Sequence, residues 1–289
     1  MERIASKDEM RAAIAEARRG GKTVGLVPTM GALHRGHLSL VAAARERTDV
    51  VVVSIFVNPT QFAPGEDFES YPRRVDEDVE MLGDGGVDLV FTPSVETMYA
   101  GTPLVTVDPG PLARRWEGEV RPGHFAGVAT IVTKLFGIIR PDLAFFGEKD
   151  FQQLTILKRM ALDLDLGVGV IGCPVVRDID GLALSSRNAY LSVDERDYAL
   201  ALPEALEAAA QALAWGEHDA TALGIVMREA AGTRAPGALT LDYAAIVDPE
   251  TLEPLETVDR PARAIIAGRV GKTRLIDNCA LAPSPGGAE

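Results

Sequence analysis

The feature that most constrains this chain is the alternation of short apolar runs with helical patterns over its first 177 residues. Five runs predict buried strands: Val24–Val27, Val50–Val57, Asp88–Phe91, Leu143–Phe146 and Val168–Cys173. Five helical patterns stand around them: one that begins after Ser6, then His37–Arg47, Asp76–Leu82, Phe125–Ile139 and Phe151–Leu162. Because strand–helix–strand units give parallel, right-handed pairing, the sequence predicts an α/β fold with a doubly wound parallel sheet.

The pattern changes after Arg177, where we place a domain boundary. Residues 1–177 are expected to form a Rossmann-like domain, and residues 178–289 a smaller α+β domain that forms a lid over the site. The second part shows a turn signal at Asp180-Gly181, helical patterns at Val193–Trp215 (interrupted at Pro203) and Thr221–Ala231, and strand patterns at Thr240–Val247, Arg263–Ala267 and Thr273–Ala280. The tail Pro283–Glu289 is rich in Pro and Gly and is expected to be disordered.

The acidic composition excludes some functions. With 42 acidic and 29 basic residues, the net charge is −13, which argues against a nucleic-acid binder. Any anion site must therefore be built locally. Cys173 and Cys279 are far apart in apolar surroundings and are expected to be buried, reduced thiols. Neither a signal peptide nor an apolar run long enough for a membrane span is predicted, so we expect a cytoplasmic protein.

Two histidines stand where the first parallel strand leads into a helix. The loop Pro28–His37 carries His34 and His37 with Gly36 between them. A helix N-terminus favours an anion, and imidazole donors can stabilise charge that develops at phosphorus. Two alternatives remain at this stage: a pair of helix-capping histidines, or a metal pair, although no Glu follows the first His as in an H-E-x-x-H site.

The loop Pro28–His37 resembles the H-x-G-H signature of the nucleotidylyltransferase superfamily, in the form found in the pantothenate synthetase family. Four further segments match that family in order: Phe56–Phe62, Tyr71–Arg73, Gly147–Asp150 with Gln152-Gln153, and Ser185–Asn188. The similarity runs in register from about Lys22 to Leu191 and continues more weakly to Ala280.

The resemblance implies an ATP-dependent ligase that joins pantoate to β-alanine through a pantoyl-adenylate and releases pyrophosphate and AMP. It implies ATP as co-substrate, Mg²⁺ bound mainly through the ATP phosphates, and a homodimer. The catalytic residues implied are His37, His34 and Lys149. The implied ATP ligands are Met30, Gly31, Ala32, Leu33, His34, Arg35, Gly36, His37, Gly147, Glu148, Lys149, Asp150, Val176, Leu184, Ser185, Ser186 and Arg187.

The same resemblance makes Gln61 and Gln153 pantoate ligands, with Gln61 also near β-alanine. Read without the resemblance, either glutamine is a solvated surface amide, Gly147–Asp150 is an ordinary strand-to-helix turn, and Ser185–Arg187 is a surface loop. Two readings from other classes also remain: a nucleotidylyltransferase that keeps the nucleotide on its product, and an inactive nucleotide-binding regulator.

Two weaker signals lie elsewhere. Asp76, Glu77 and Asp78 offer carboxylates of the kind that Mg²⁺ prefers. Acidic side chains in the first turn of a helix also complement the positive end of the helix dipole, and we prefer this interpretation. We therefore predict no protein-bound metal. Arg121 and His124 are second-rank candidates for holding a phosphate or a flap.

Overall fold

The computed structural model describes residues 1–63, 65–83 and 85–283, and these form two compact units. The first unit comprises residues 1–148 and 152–174, and the second comprises residues 149–151 and those from 175 onwards. Most of the tail for which disorder was predicted, residues 284–289, lies outside the described residues. No helix of the described part is both long and apolar enough to cross a membrane.

The described residues of the first unit form seven helices and six strands. In chain order they are β1 (Glu2–Ile4), α1 (Lys7–Arg19), β2 (Val24–Thr29), α2 (Arg35–Arg45), β3 (Val50–Ile55), α3 (Val75–Gly83), β4 (Leu89–Phe91), α4 (Val95–Met98), α5 (Glu117–Val120), α6 (His124–Ile139), β5 (Leu143–Gly147), α7 (Phe151–Asp163, whose first residue belongs to the second unit) and β6 (Gly169–Cys173). The strands form one parallel sheet in the order β1-β4-β3-β2-β5-β6. The predicted α/β class is confirmed.

Helices cover both faces of this sheet. Along β3, Val50 and Val52 pack into a core with residues of α1 and α6, whereas Val51 and Val53 pack into another core with residues of α2 and α3. This two-sided burial is the reason that the strand is apolar at nearly every position. β5 adjoins β2 on the side opposite β3. The loops after β2 and β5 therefore start at neighbouring positions on the carboxyl edge, where such sheets bind ligands.

Pro28 does not end its strand as the sequence analysis expects. β2 continues to Thr29, with Pro28 opposite Ser54 of β3. Thr29 O accepts the N–H of Phe56, so the main-chain polar groups of Thr29 point towards β3 and those of Pro28 point towards β5. The pairing with β5 stops at Leu26. A proline that cannot donate is therefore tolerated at this position.

The second unit packs helices against an antiparallel sheet. Its elements are α8 (Val193–Ala199), α9 (Ala201–Ala214), α10 (Ala220–Arg234), β7 (Leu239–Val247), β8 (Ala262–Val270) and β9 (Thr273–Leu281), with β8 in the centre. The predicted interruption at Pro203 falls earlier, at Leu200. Pro203 lies in the first turn of α9, where the N–H that proline lacks has no intrahelical partner in any case. Cys173 and Cys279 are both free thiols, as predicted, but Cys173 is buried whereas Cys279 is only partly buried.

Candidate active site

A buried carboxylate shapes the loop that follows β2. Asp78, in the first turn of α3, is 3% exposed and accepts the N–H of Ala32 at 2.9 Å and that of Leu33 at 2.7 Å. These bonds hold Ala32 at φ +50°, a left-handed conformation that costs an L-residue about 1–2 kcal/mol. Gly31 precedes it at φ +84°, and a Cβ there would stand 2.8 Å from the Asp78 carboxylate. This position therefore requires glycine.

His34 and His37 form a reciprocal cap at the start of α2. Gly36 N–H donates to His34 Nδ1 at 3.1 Å, and His34 N–H donates to His37 Nδ1 at 3.3 Å. The helix-cap interpretation is thus correct. Because each Nδ1 accepts a hydrogen bond, the proton of each neutral ring lies on Nε2, on the opposite edge of the ring. The two ring centroids are 4.1 Å apart. The cap therefore orients two imidazole donors side by side.

Several main-chain N–H groups of this loop already donate within the protein. The N–H of Gly31 donates to Thr29 Oγ1 at 3.2 Å and that of His37 to His34 O at 2.8 Å, while Asp78 accepts those of Ala32 and Leu33. The loop uses these amides to hold its own conformation.

Gln61 is a buried residue, so its interpretation as a solvated surface amide is wrong. Asn58 Nδ2 donates to Gln61 Oε1 at 3.2 Å, and the hydroxyl of Tyr99 donates to Asn58 Oδ1 at 2.7 Å. Burial raises the pKa of Tyr99, which keeps the hydroxyl protonated as a donor. Gln61 Nε2 donates to Met30 Sδ at 2.8 Å. Asn58 stood in a quoted motif but was not predicted as a site residue, and Tyr99 had no sequence signal.

Arg121 and His124 hold the backbone beside Gln61. Arg121 makes a two-bond pair with the carboxylate of Glu66 at 2.7 and 2.8 Å and lies 3.1 Å from His124 Nε2. His124 Nδ1 lies 2.8 Å from Gln61 O. Close approach of α6 also requires Gly127, since a Cβ there would lie 2.3 Å from Thr60 O. Arg121 is thus paired with the carboxylate of Glu66. Together with His124 it holds the main chain at Gln61 in place.

The two adjacent glutamines of α7 differ in their surroundings. Gln152 is buried and donates to the carbonyls of Leu112 and Arg115 at 2.8 and 2.9 Å, while its oxygen accepts the N–H of Glu117 at 3.0 Å. It fixes the segment before α5. Gln153, the predicted pantoate ligand, is partly buried.

The segment after β5 is a short 3-10 turn, Glu148–Asp150, that begins directly after Gly147. Lys149 Nζ lies 3.6 Å from the half-exposed carboxylate of Asp150. The lysine side chain is 20% exposed.

A tight turn carries the predicted serine–arginine loop. Arg177 and Ala183 form an antiparallel bridge, and Leu184 N–H donates to Val176 O at 2.9 Å, which joins two predicted ATP ligands. Ser185 then caps a 3-10 helix, Ser186–Tyr190, by accepting the N–H of Arg187 at 3.3 Å. These hydrogen bonds are all local to residues 176–190.

An ion pair with a buried carboxylate anchors this turn. Arg177 donates to both oxygens of Asp277, at 2.6 and 3.0 Å, and to Gly181 O at 3.0 Å. The Asp277 side chain is 2% exposed. Although burial opposes the charged form, hydrogen bonding and the charge of Asp277 raise the pKa of Arg177. This pair joins the turn to β9.

The acidic residues in the first turn of α3 each have a protein partner. Asp76 pairs with Arg3 at 2.8 Å, Glu77 with Arg74 at 3.5 Å, and Asp78 with main-chain amides. Across the described residues, no group of three or more His, Cys, Asp or Glu side chains is arranged to hold a metal ion.

Comparison with known proteins identifies the family. A family model described as pantoate-beta-alanine ligase matches residues 2–280. A pantothenate synthetase of Rhizorhabdus wittichii is 52% identical over 285 residues, which are 99% of this chain and 100% of that protein. A pantothenate synthetase of Rubrobacter xylanophilus is 54% identical and covers 96% of this chain and 98% of its own length.

Solved structures agree. The crystal structure of pantothenate synthetase from Thermus thermophilus matches with a TM-score of 0.92 and 48% identity, covering 98% of this chain and 100% of that one. A pantoate-beta-alanine ligase from Francisella tularensis, complexed with beta-gamma ATP and beta-alanine, matches with a TM-score of 0.78 and 32% identity over 96% and 97% of the two chains. This chain therefore belongs to the pantoate–β-alanine ligase family.

Proposed function

We propose that this ligase condenses (R)-pantoate with β-alanine at the expense of ATP, through a pantoyl-adenylate, with release of pyrophosphate and then AMP. The relatives named pantothenate synthetase and the ATP- and β-alanine-bound ligase from Francisella tularensis support this reaction. The observation that carries it is the reciprocal cap of His34 and His37, in which both Nδ1 atoms accept a main-chain N–H, so that each neutral ring carries its proton on Nε2.

The chemistry explains why such donors are needed. A carboxylate is a poor acylating group until one oxygen is joined to AMP, and so pantoate must attack the α-phosphorus of ATP in line. Both reactants are anions, and negative charge shifts onto the departing pyrophosphate. Orientation and charge stabilisation supply most of the rate gain in phosphoryl transfer. In this proposal His37 donates to a phosphate oxygen as that charge develops, and the mixed anhydride then acylates the amine of β-alanine.

The remaining residue roles are carried over from the family motifs as proposals. Lys149 stabilises phosphate oxygens as a compact cation. Gln61 donates to pantoate and approaches β-alanine, while Gln153 also binds pantoate. The proposed ATP ligands are Met30–His37, Gly147–Asp150, Val176 and Leu184–Arg187.

Three further properties belong to the proposal. Mg²⁺ enters with the ATP phosphates, since the carboxylates of α3 have protein partners and do not fit a separate metal site. The protein forms a homodimer and acts in the cytoplasm. Residues 178–289 act as a lid that shields the acyl-adenylate from water.

Substitutions at His37 test the proposal by separating the cap from the donor. His37→Asn keeps an oxygen near the Nδ1 position, which preserves the cap, but it has no group at Nε2. We expect normal folding and at least a ~10²-fold slower release of pyrophosphate from ATP and pantoate. His37→Gln places an amide donor near Nε2 and should recover part of the rate.

The control is His218→Asn, which alters a histidine whose Nδ1 lies 2.9 Å from the carbonyl of Val258 in the second unit. It should leave pyrophosphate release unchanged. If both His37 variants match the original protein, the role of His37 is wrong. If a nucleotide conjugate accumulates and β-alanine never triggers AMP release, the protein is a nucleotidylyltransferase rather than a ligase. If ATP binds but pyrophosphate never forms, it is a regulator.

A further inference from the structure

A buried polar contact in the second unit joins Asn278 to Lys149. Asn278 lies on β9 opposite Ile265 of β8 and is 3% exposed. Its Nδ2 donates to the main-chain oxygen of Lys149 at 2.9 Å. Lys149 is distant in sequence, so this bond is specific to the fold. None of the roles proposed above uses Asn278.

Arg263 fixes the direction of this amide. Arg263 Nε donates to Asn278 Oδ1 at 2.7 Å, which leaves Nδ2 facing Lys149. The arginine is itself 8% exposed, and its guanidinium stacks over the ring of Phe151 at 4.2 Å. The segment 149–151 is therefore held at two points, its first carbonyl by Asn278 and the ring of its third residue by Arg263.

Lys149 depends on such an anchor. A lysine ammonium group is a point charge on a flexible four-carbon stem, so its location follows from where its backbone is held. The turn that carries it is a 3-10 helix of three residues, a weak element by itself. The ion pair with Asp150 is long at 3.6 Å, and the carboxylate is half exposed. Water competes strongly with such a pair.

We propose that Asn278 is a positioning residue of the ligase: oriented by Arg263, it holds the backbone of Lys149 where the ammonium group meets the phosphates of ATP. This inference rests on the proposed role of Lys149. Asn278 does not touch the reacting atoms, and it acts through the lysine.

Asn278→Asp tests the proposal because it keeps the shape and the oxygen that faces Arg263. It replaces the Nδ2 donor by a carboxylate oxygen, which cannot donate to the main-chain oxygen of Lys149 and repels it. We expect the maximal rate of pyrophosphate release to fall about 10- to 10²-fold, the scale of a displacement of about 1 Å at a reacting group. The KM for ATP should change much less than this rate.

Arg274→Gln is the matched control. It breaks the ion pair of Arg274 with Asp242 at 2.7 Å, between largely buried side chains of the same sheet, without touching Lys149. It should lower the melting temperature while the rate stays within twofold of the original. An equal loss of rate in this variant would show that destabilisation of the sheet suffices, and would overturn the proposal.

A double-mutant cycle with Lys149→Ala supplies the decisive comparison. If Asn278 acts through the lysine, Asn278→Asp adds no more than a twofold loss in the Lys149→Ala background. If Asn278→Asp lowers the rate of pyrophosphate release in the Lys149→Ala background as much as it does in the original protein, the proposal is overturned. Normal pyrophosphate release by Lys149→Ala would instead refute the role of the lysine. A large effect of Lys149→Ala together with none from Asn278→Asp would refute the positioning role alone.

Should Asn278→Asp not fold, Arg263→Lys tests the same contact. It retains a positive charge but loses the Nε bond to Asn278 and the planar stacking on Phe151. We expect a rate loss in the same direction that also disappears in the Lys149→Ala background. An unchanged rate would overturn the proposal.

Discussion

Acidification should destabilise the first unit through one histidine. His124 Nδ1 lies 2.8 Å from Gln61 O, and its Nε2 lies 3.1 Å from the Arg121 guanidinium. A neutral ring satisfies both contacts, with Nδ1–H donating to the carbonyl and Nε2 accepting from the guanidinium. Burial of the ring, and then the charge of Arg121, lower the pKa of His124 from 6.5 to about 4.

The size of the effect follows from these two pKa values. Between pH 6.5 and 4 the unfolded chain binds a proton at this position and the folded chain does not, so stability is complete above pH 6.5 and falls as the pH drops through this range. Each pKa unit corresponds to about 1.4 kcal/mol, and the shift therefore represents about 3 kcal/mol in full and about 2 kcal/mol at pH 5.

Glu66 contributes in a lower range. Burial opposes ionisation of its carboxyl, but the hydrogen bonds and charge of Arg121 outweigh that effect and lower its pKa below the usual 4.5. Its stabilising contribution is present above pH 4.5 and is lost only as the pH falls further. Measurements between pH 7 and 5 therefore report mainly the histidine.

Urea unfolding at pH 7 and pH 5 measures this difference. His124→Asn supplies an amide donor for Gln61 O without a titrating group. We expect the original protein to lose about 2 kcal/mol more than this variant between the two pH values. Equal losses in the two proteins would refute the assignment of a neutral, buried ring to His124.

Three further substitutions test the contacts that support the site. Asp78→Asn leaves one loop amide facing an NH₂ group, and it should cost about 1–3 kcal/mol in thermal unfolding and raise the KM for ATP. Arg177→Gln leaves the buried Asp277 carboxylate without its guanidinium, and it should cost about 3–5 kcal/mol by the same measurement. Tyr99→Phe removes the shorter of the two hydrogen bonds that Asn58 Oδ1 accepts and leaves the one from Thr60 Oγ1 at 3.1 Å. It should lower kcat/KM for pantoate up to about tenfold with little change for ATP; an unchanged value would contradict the proposed amide orientation.

The sequence predicted the elements that carry a local signal, such as an apolar run or a helix cap. It missed elements whose conformation comes from pairing with a neighbouring strand. The continuous apolar run in β3 and the Ser6 cap of α1 are local signals, and both are present in the structure. β1 was missed because it has three residues, two of them charged, and pairs only with the neighbouring strand β4. Its strand conformation comes from that pairing rather than from its own side chains.

The candidate site shows the same division. The motif residues were visible because they cluster in short segments such as Pro28–His37. The residues that hold them in place were not visible, because Asp78, Tyr99 and Asn278 lie 41 to 129 positions from their hydrogen-bond partners. In the sequence, Asp78 was one of three acidic residues at a helix start. Only the folded chain shows that it is buried against the loop while Asp76 is exposed.

The position of Asp78 bears on how an acidic protein holds a nucleotide. A chain of net charge −13 repels ATP at long range, and the loop nearest the proposed phosphates is itself braced by a carboxylate. At physiological ionic strength a charge is screened over about 8 Å, so the distant acidic surface matters less than groups in contact with the ligand. The two amides that bind Asp78 offset part of its charge within the loop. Affinity for ATP then depends on a few short-range donors. The long-range electrostatic field of an acidic protein does not compensate for a small displacement of any one of them. Buried neighbours must therefore fix the orientation of these donors.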